Sequence, residues 1–171
     1  MQNPTHSDRQ IRPLYTSEER ARRDATPWTL VQGVLAPVQI LVFLISVVLV
    51  VRYLQTGQGE TAATVSIVLK TALLYTIMIT GCIWEKVVFG RYLFAASFFW
   101  EDVFSMLVLA LHTAYLVALF TGALPVREQM LLALAGYAAY VINAGQFLLK
   151  LRAARLQSSS QAAPTSGEVA A

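Results

Sequence analysis

Four long stretches of this chain carry almost no formal charge. Ala25 to Val51, Val103 to Val126 and Gln129 to Leu149 hold no Asp, Glu, Lys or Arg, and Thr61 to Trp84 holds only Lys70. A helix needs roughly 20 apolar residues to cross the hydrocarbon of a bilayer, and every run meets that length. Hydrocarbon offers the backbone no hydrogen-bond partners, so spanning segments of this kind are helical. The expected fold is an all-α integral membrane protein, a four-transmembrane-helix bundle. Only 13% of the 171 residues are charged, about half the share usual in a soluble domain.

The boundaries follow from the punctuation. Residues 1–24 form a polar N-terminal tail, residues 25–155 the membrane domain, and residues 156–171 a Gln, Ser, Ala and Pro-rich tail expected to be disordered. Ser17 to Arg23 can form a short helix, opened by Ser-Glu-Glu. The first span starts at Thr26-Pro27-Trp28, which offers a cap, a first-turn proline and an interfacial ring. It ends near Tyr53, and Pro37 inside it predicts a kink. The second span covers about 61–88, the third about 97–120 and the fourth about 127–150. Val87 to Phe99 lies in the interface or dips into the membrane. No cleavable signal peptide is expected, because the first apolar run starts beyond a polar tail and is too long for one.

Charge sets the expected orientation. With both termini cytoplasmic, that side holds Arg9, Arg12, Arg20, Arg22, Arg23, Lys86, Arg91, Lys150, Arg152 and Arg155. The other side holds Arg52 and Arg127, and Lys70 lies within the membrane. Ten, two and one account for all thirteen Lys and Arg, a bias that favours termini inside. The bilayer is then an obligatory partner. The small net charge of +3 follows topology and makes no nucleic-acid patch.

Ionisable residues at membrane depth are hidden or used. The stretch from Gly81 to Phe120 carries Glu85, Lys86, Arg91, Glu101, Asp102 and His112. Glu101, Ser105, Val108, His112 and Tyr115 share one helix face, as do Thr71, Tyr75, Met78, Cys82 and Glu85. Gly136, Ala139, Asn143, Gln146 and Lys150 line one side of the last span, and Gln32 and Gln39 are seven apart on the first. These groups predict a funnel that opens at the cytoplasmic end and closes at mid-membrane. His112 would lie roughly 16 Å deeper than Glu101.

Five segments carry a resemblance. They are Pro27–Pro37 (PWTLVQGVLAP), Ile83–Gly90 (IWEKVVFG), Phe99–Val103 (FWEDV), Leu111–Leu116 (LHTAYL) and Tyr140–Lys150 (YVINAGQFLLK). Across about residues 22–156 the chain resembles the 2-vinyl bacteriochlorophyllide hydratase family. The resemblance implies a membrane enzyme of bacteriochlorophyll synthesis that adds water across the ring-A vinyl group of a magnesium chlorin. It implies a (bacterio)chlorophyllide substrate, no redox cofactor and no metal beyond the pigment's own magnesium. It also implies an inner, intracytoplasmic photosynthetic membrane and neighbours among other pathway enzymes.

Hydrating a vinyl group is acid catalysis. A proton goes to the terminal carbon, the neighbouring cation spreads into the macrocycle, and water adds there. A carboxyl kept from water can supply the proton. Glu101, Asp102 and Glu85 are the choices, with Glu101 preferred because it shares a face with His112. Each could instead serve a helix end or an ion pair. His112 has three open roles: activating water, ligating the substrate magnesium, or bonding a neighbouring helix. Lys70 either snorkels outward or pairs with the substrate's propionate. Asn143 and Gln146 join helices, or position water and the ring's keto groups. Trp84 and Trp100 belong to an interfacial aromatic belt or stack on the chlorin, and Tyr115, facing the bundle, packs there or meets the substrate.

Other classes lack their signatures. The sequence has no P-loop, glycine-rich dinucleotide turn, CxxC, paired histidines or nucleophile elbow. Lone Cys82 excludes an internal disulfide. A non-catalytic pigment-binding or assembly protein would want the same slot but has little use for the acids. A transporter is disfavoured by the absence of an internal repeat.

Overall fold

The structure, a computed structural model, describes residues 14–161. Five helices follow in order: α1 (Ser17–Ala25), α2 (Pro27–Thr56), α3 (Glu60–Phe89), α4 (Phe99–Thr121) and α5 (Val126–Gln161). No strand occurs among the described residues. The helices α2 to α5 are each long and apolar enough to cross a membrane, as the four charge-poor runs predict. Their outer faces expose large apolar side chains, among them Leu30, Val48, Phe120 and Leu149. So much exposed hydrocarbon would be a liability in water and is what lipid requires.

The ends obey local chemistry. Thr16 and Glu19 form a reciprocal capping box that starts α1. Thr26 accepts from the Trp28 N–H, and Pro27 occupies the first turn of α2. Gly90 and Gly122 terminate α3 and α4 with φ of 80° and 66°, a conformation that glycine adopts without a Cβ clash. The last helix runs to Gln161, past the expected boundary at 155. Ala153, Ala154, Arg155 and Leu156 are strong helix formers, and no Gly or Pro interrupts them. The polar tails expected at 1–24 and 156–171 lie partly outside the described residues, at 1–13 and 162–171.

Helix α2 packs along α3, and α4 along α5. Far from the termini, Val50, Ile67, Tyr115, Met130 and Tyr137 fill the bundle. Ser46 bonds both Ser66 and Tyr137 there, satisfying three hydroxyls without water. Midway, Leu74, Val108 and Ala139 form a second cluster. At the terminus end a third, aromatic cluster joins Tyr15, Trp84, Phe89, Phe98 and Phe147. Tyr15 stacks on Phe89 with ring centres 5.7 Å apart, and Arg22 Nε donates to the Val88 carbonyl at 2.9 Å. The helix α1 is thereby fixed against the end of α3. Connector 90–98 turns inward, burying Ala95 and Phe98, and its Ser97 hydroxyl donates to the Leu14 carbonyl.

Candidate active site

Between the helix pairs, at the end where α1 and the end of α5 meet, lies a cavity of about 950 Å³. That is near the upper end for small-molecule sites. Its walls carry Glu85 and Trp84 from α3, Asp102 and Ser105 from α4, and Asn143 and Phe147 from α5. Gln32, Gly33 and Gln39 contribute from α2. The mouth is bordered by Arg20, Arg23 and Asp24 from α1 and by Arg155. The floor is Gln39, Ile40, Leu74 and Tyr140.

The two wall acids are neighbours. Glu85 and Asp102 are 4% and 7% exposed, and their carboxyl groups lie close enough to feel each other's charge. Asp102 Oδ2 accepts from the Phe94 N–H at 2.7 Å. Phe94 has φ 58°, unusual for an aromatic residue, so Asp102 holds a strained turn of the connector. Neither Glu85 oxygen has a hydrogen-bond partner of ordinary geometry, although the carboxyl also feels the Ala95 N–H.

Other polar groups on the wall are only half satisfied. Asn143 Nδ2 donates to Ser105 Oγ at 2.8 Å, leaving Oδ1 buried without a partner. Gln32 Nε2 donates to Thr80 Oγ1 and ties α2 to α3. Trp84 Nε1 donates to Thr29 Oγ1 at 2.9 Å, which holds the indole on the wall. Pro37 lacks the N–H that would bond the Gly33 carbonyl, and Gly33 lines the cavity. At the rim, burial pushes the Tyr15 phenol above its ordinary range, against the pull of Arg23.

Six residues singled out in the sequence lie outside this cavity wall. Glu101 is buried and turned toward α5, where Lys150 Nζ donates to its Oε2 at 2.6 Å. It therefore shares a helix face with His112 but is engaged in an ion pair. His112 is 2% exposed, and its ring packs on Gly136, where an added Cβ would come within 3.0 Å of Cε1. Its Nδ1 is 2.8 Å from the Val108 carbonyl. A carbonyl only accepts, so Nδ1 carries the hydrogen and Nε2 is left unpartnered. His112 is thus bonded within its own helix and packed on α5, the structural one of its three expected roles. Lys70 is fully buried and does not snorkel outward: it donates to Gln39 Oε1 and lies 3.7 Å from the centre of the Tyr140 ring. Its stem follows α3 toward Gln39 because a polar partner is available there. Trp100 is 66% exposed on the outer surface, a belt position. Tyr115 is in the far core. Gln146 is half-buried beyond the wall, with its Oε1 unpartnered.

The structure thus brings together Glu85, Asp102, Trp84 and Asn143 from the expected set. It adds Gln39 and Tyr140, whose signal was the seven-residue spacing of the glutamines and the membership of Tyr140 in a quoted segment. The part played by α1 at the mouth had no sequence signal beyond a helix-forming stretch.

Three comparisons bear on the site. The family described as 2-vinyl bacteriochlorophyllide hydratase (BCHF) matches residues 15–153. A protein named 2-vinyl bacteriochlorophyllide hydratase from Rhodobacter capsulatus is 68% identical over 164 residues, covering 96% of this chain and 92% of the relative. One of the same name from Cereibacter sphaeroides is 70% identical over 153 residues, covering 90% and 95%. No solved structure matches.

Proposed function

The chain belongs to the 2-vinyl bacteriochlorophyllide hydratase family and is a hydratase of bacteriochlorophyll synthesis, and we propose that the Glu85–Asp102 pair is its acid–base centre. The observation that carries this reading is the pairing itself: two buried carboxyls side by side on the wall of a pigment-sized cavity. Asp102 is anchored by the Phe94 N–H, which suits it to the carboxylate role and leaves Glu85 as the member of the pair that delivers the proton.

Glu85 then gives its proton to the terminal vinyl carbon. The π electrons of the vinyl bond form the new C–H bond, and the cation on the adjacent carbon is shared with the macrocycle. Water attacks that carbon, oriented through a hydrogen bond to Asn143 Oδ1. The carboxylate pair takes the water's second proton and returns to its starting state. One water molecule is consumed and no electrons change hands, so the chemistry calls for no redox cofactor. Trp84 and Phe147 line the cavity and supply aromatic surface for the flat ring. Magnesium belongs to the substrate.

The charge bias of the ends supports placing both termini in the cytoplasm. The pathway supports a multi-pass position in the intracytoplasmic photosynthetic membrane. The cavity then opens to the side where free pigment and water arrive.

The test is hydration in water labelled with heavy oxygen, by purified protein in nanodiscs supplied with a vinyl-bearing magnesium bacteriochlorin. The parent should place the label in a hydroxyethyl product. Glu85→Gln should bind the pigment yet lose about 10²–10⁴-fold in kcat, the usual contribution of a general acid. Turnover of Glu85→Gln at the parent rate would remove the pair from the mechanism.

A further inference from the structure

The floor of the cavity holds a donor with no acceptor. Gln39 is 1% exposed and borders the cavity, and its Nε2 has no hydrogen-bond partner. The orientation of its amide is not arbitrary. Lys70 Nζ bonds the other end of that amide, and an ammonium only donates, so it must face the oxygen. The NH₂ group is therefore turned away from Lys70. Lys70 is itself boxed in, fully buried and over the Tyr140 ring. No carboxylate pairs with it among the described residues. An ammonium held at this depth by an amide and a ring fixes that amide in one orientation. The rest of the floor is Ile40, Leu74 and Tyr140, and none of them accepts from this NH₂.

We propose that Gln39 is a binding residue that donates a hydrogen bond to the ring keto oxygen of the pigment, and that Lys70 is a positioning residue that fixes its amide. This rests on the reading that the vinyl group meets Glu85. Gln39 and Leu74 are both floor residues, and Glu85 follows Leu74 by eleven residues on one helix. That is about 16 Å along the axis, a separation suited to the long diagonal of a substituted tetrapyrrole. The keto group of a bacteriochlorophyllide lies diagonally across the macrocycle from the ring-A vinyl group. With the vinyl end at the acid pair, the keto oxygen reaches the floor, where only an acceptor satisfies Gln39. The contact reads which way round the pigment is inserted. A ring entering with its edges reversed would leave both the donor and the acid pair without their counterparts.

The experiment uses the hydroxyethyl pigment, which keeps the keto group and needs no turnover. Its keto stretching band is recorded by resonance Raman spectroscopy on full-length protein in nanodiscs. Bound to the parent, the band should lie lower than in aprotic solvent. Gln39→Leu combined with Lys70→Met replaces both partners with apolar groups and avoids stranding a buried charge. In that variant the band should return to its unbonded position, and the KM for hydration should rise about tenfold, the worth of one hydrogen bond. Lys70→Met alone should broaden the band, because the amide is no longer held in one orientation. A band unshifted in the parent, or shifted equally in the double variant, overturns the proposal. Glu85→Gln should leave the band at its parent position, so failure of the acid–base assignment is read separately from failure of this one.

Discussion

Removing Lys150 should destabilise the protein more than removing Glu101, although the two form one ion pair. The Glu101 side chain is 8% exposed and that of Lys150 is 28% exposed, with 2.6 Å between Nζ and Oε2. Lys150→Met strands a carboxylate among helices. Breaking a buried pair in this way costs about 3–5 kcal/mol, and the partial exposure of the lysine places the loss near 3. Glu101→Gln leaves an ammonium on a long stem that can swing toward water, and its cost should be about 1 kcal/mol. The double variant should lie close to Glu101→Gln alone, since the stranded charge is gone. Unfolding of detergent-solubilised protein by denaturant would measure all three, and a double-mutant cycle would give the coupling. Activity separates structure from chemistry. The folded fraction of Glu101→Gln should hydrate its substrate with kcat within a few-fold of the parent. A Glu101→Gln protein as stable as the parent but with kcat lowered 10²-fold or more would refute this reasoning and make Glu101 the proton donor.

Asp102 has a second duty, so its substitutions should diverge. Asp102→Asn keeps an oxygen for the Phe94 N–H and should fold normally while losing activity; Asp102→Ala should in addition open connector 90–98 to protease, at a cost of about 1–3 kcal/mol. Gly136→Ala should destabilise by about 1–3 kcal/mol, because the new methyl meets the His112 ring near 3.0 Å. The matching His112→Ala should recover part of that loss in the Gly136→Ala background, measured by thermal unfolding, and pigment affinity should be unchanged.

The helices were legible because hydrocarbon imposes so few solutions. Charge-poor runs located α2 to α4 to within a few residues and the cap at Thr26 marked where the first begins, whereas α5 outran its expected end near 150 by eleven residues. The buried face of α4 was equally readable: Glu101, Ser105, Val108, His112 and Tyr115 are all buried. What periodicity could not tell was which inner face meets space and which meets another helix. Glu101 and Asp102 are adjacent in sequence, yet one turns to Lys150 and the other to Glu85. That choice depends on how two helix pairs splay, a tertiary quantity. Lys70 shows the same limit. Its stem is long enough to reach lipid headgroups, and only the proximity of Gln39 and Tyr140 decides that it stays inside.

Below Gln39 the bundle is filled by the bonded hydroxyls of Ser46, Ser66 and Tyr137 and by the packed side chains around Tyr115. Pigment and water must therefore come and go on the near side of that plug, and the alcohol must clear the chamber before another ring can occupy it.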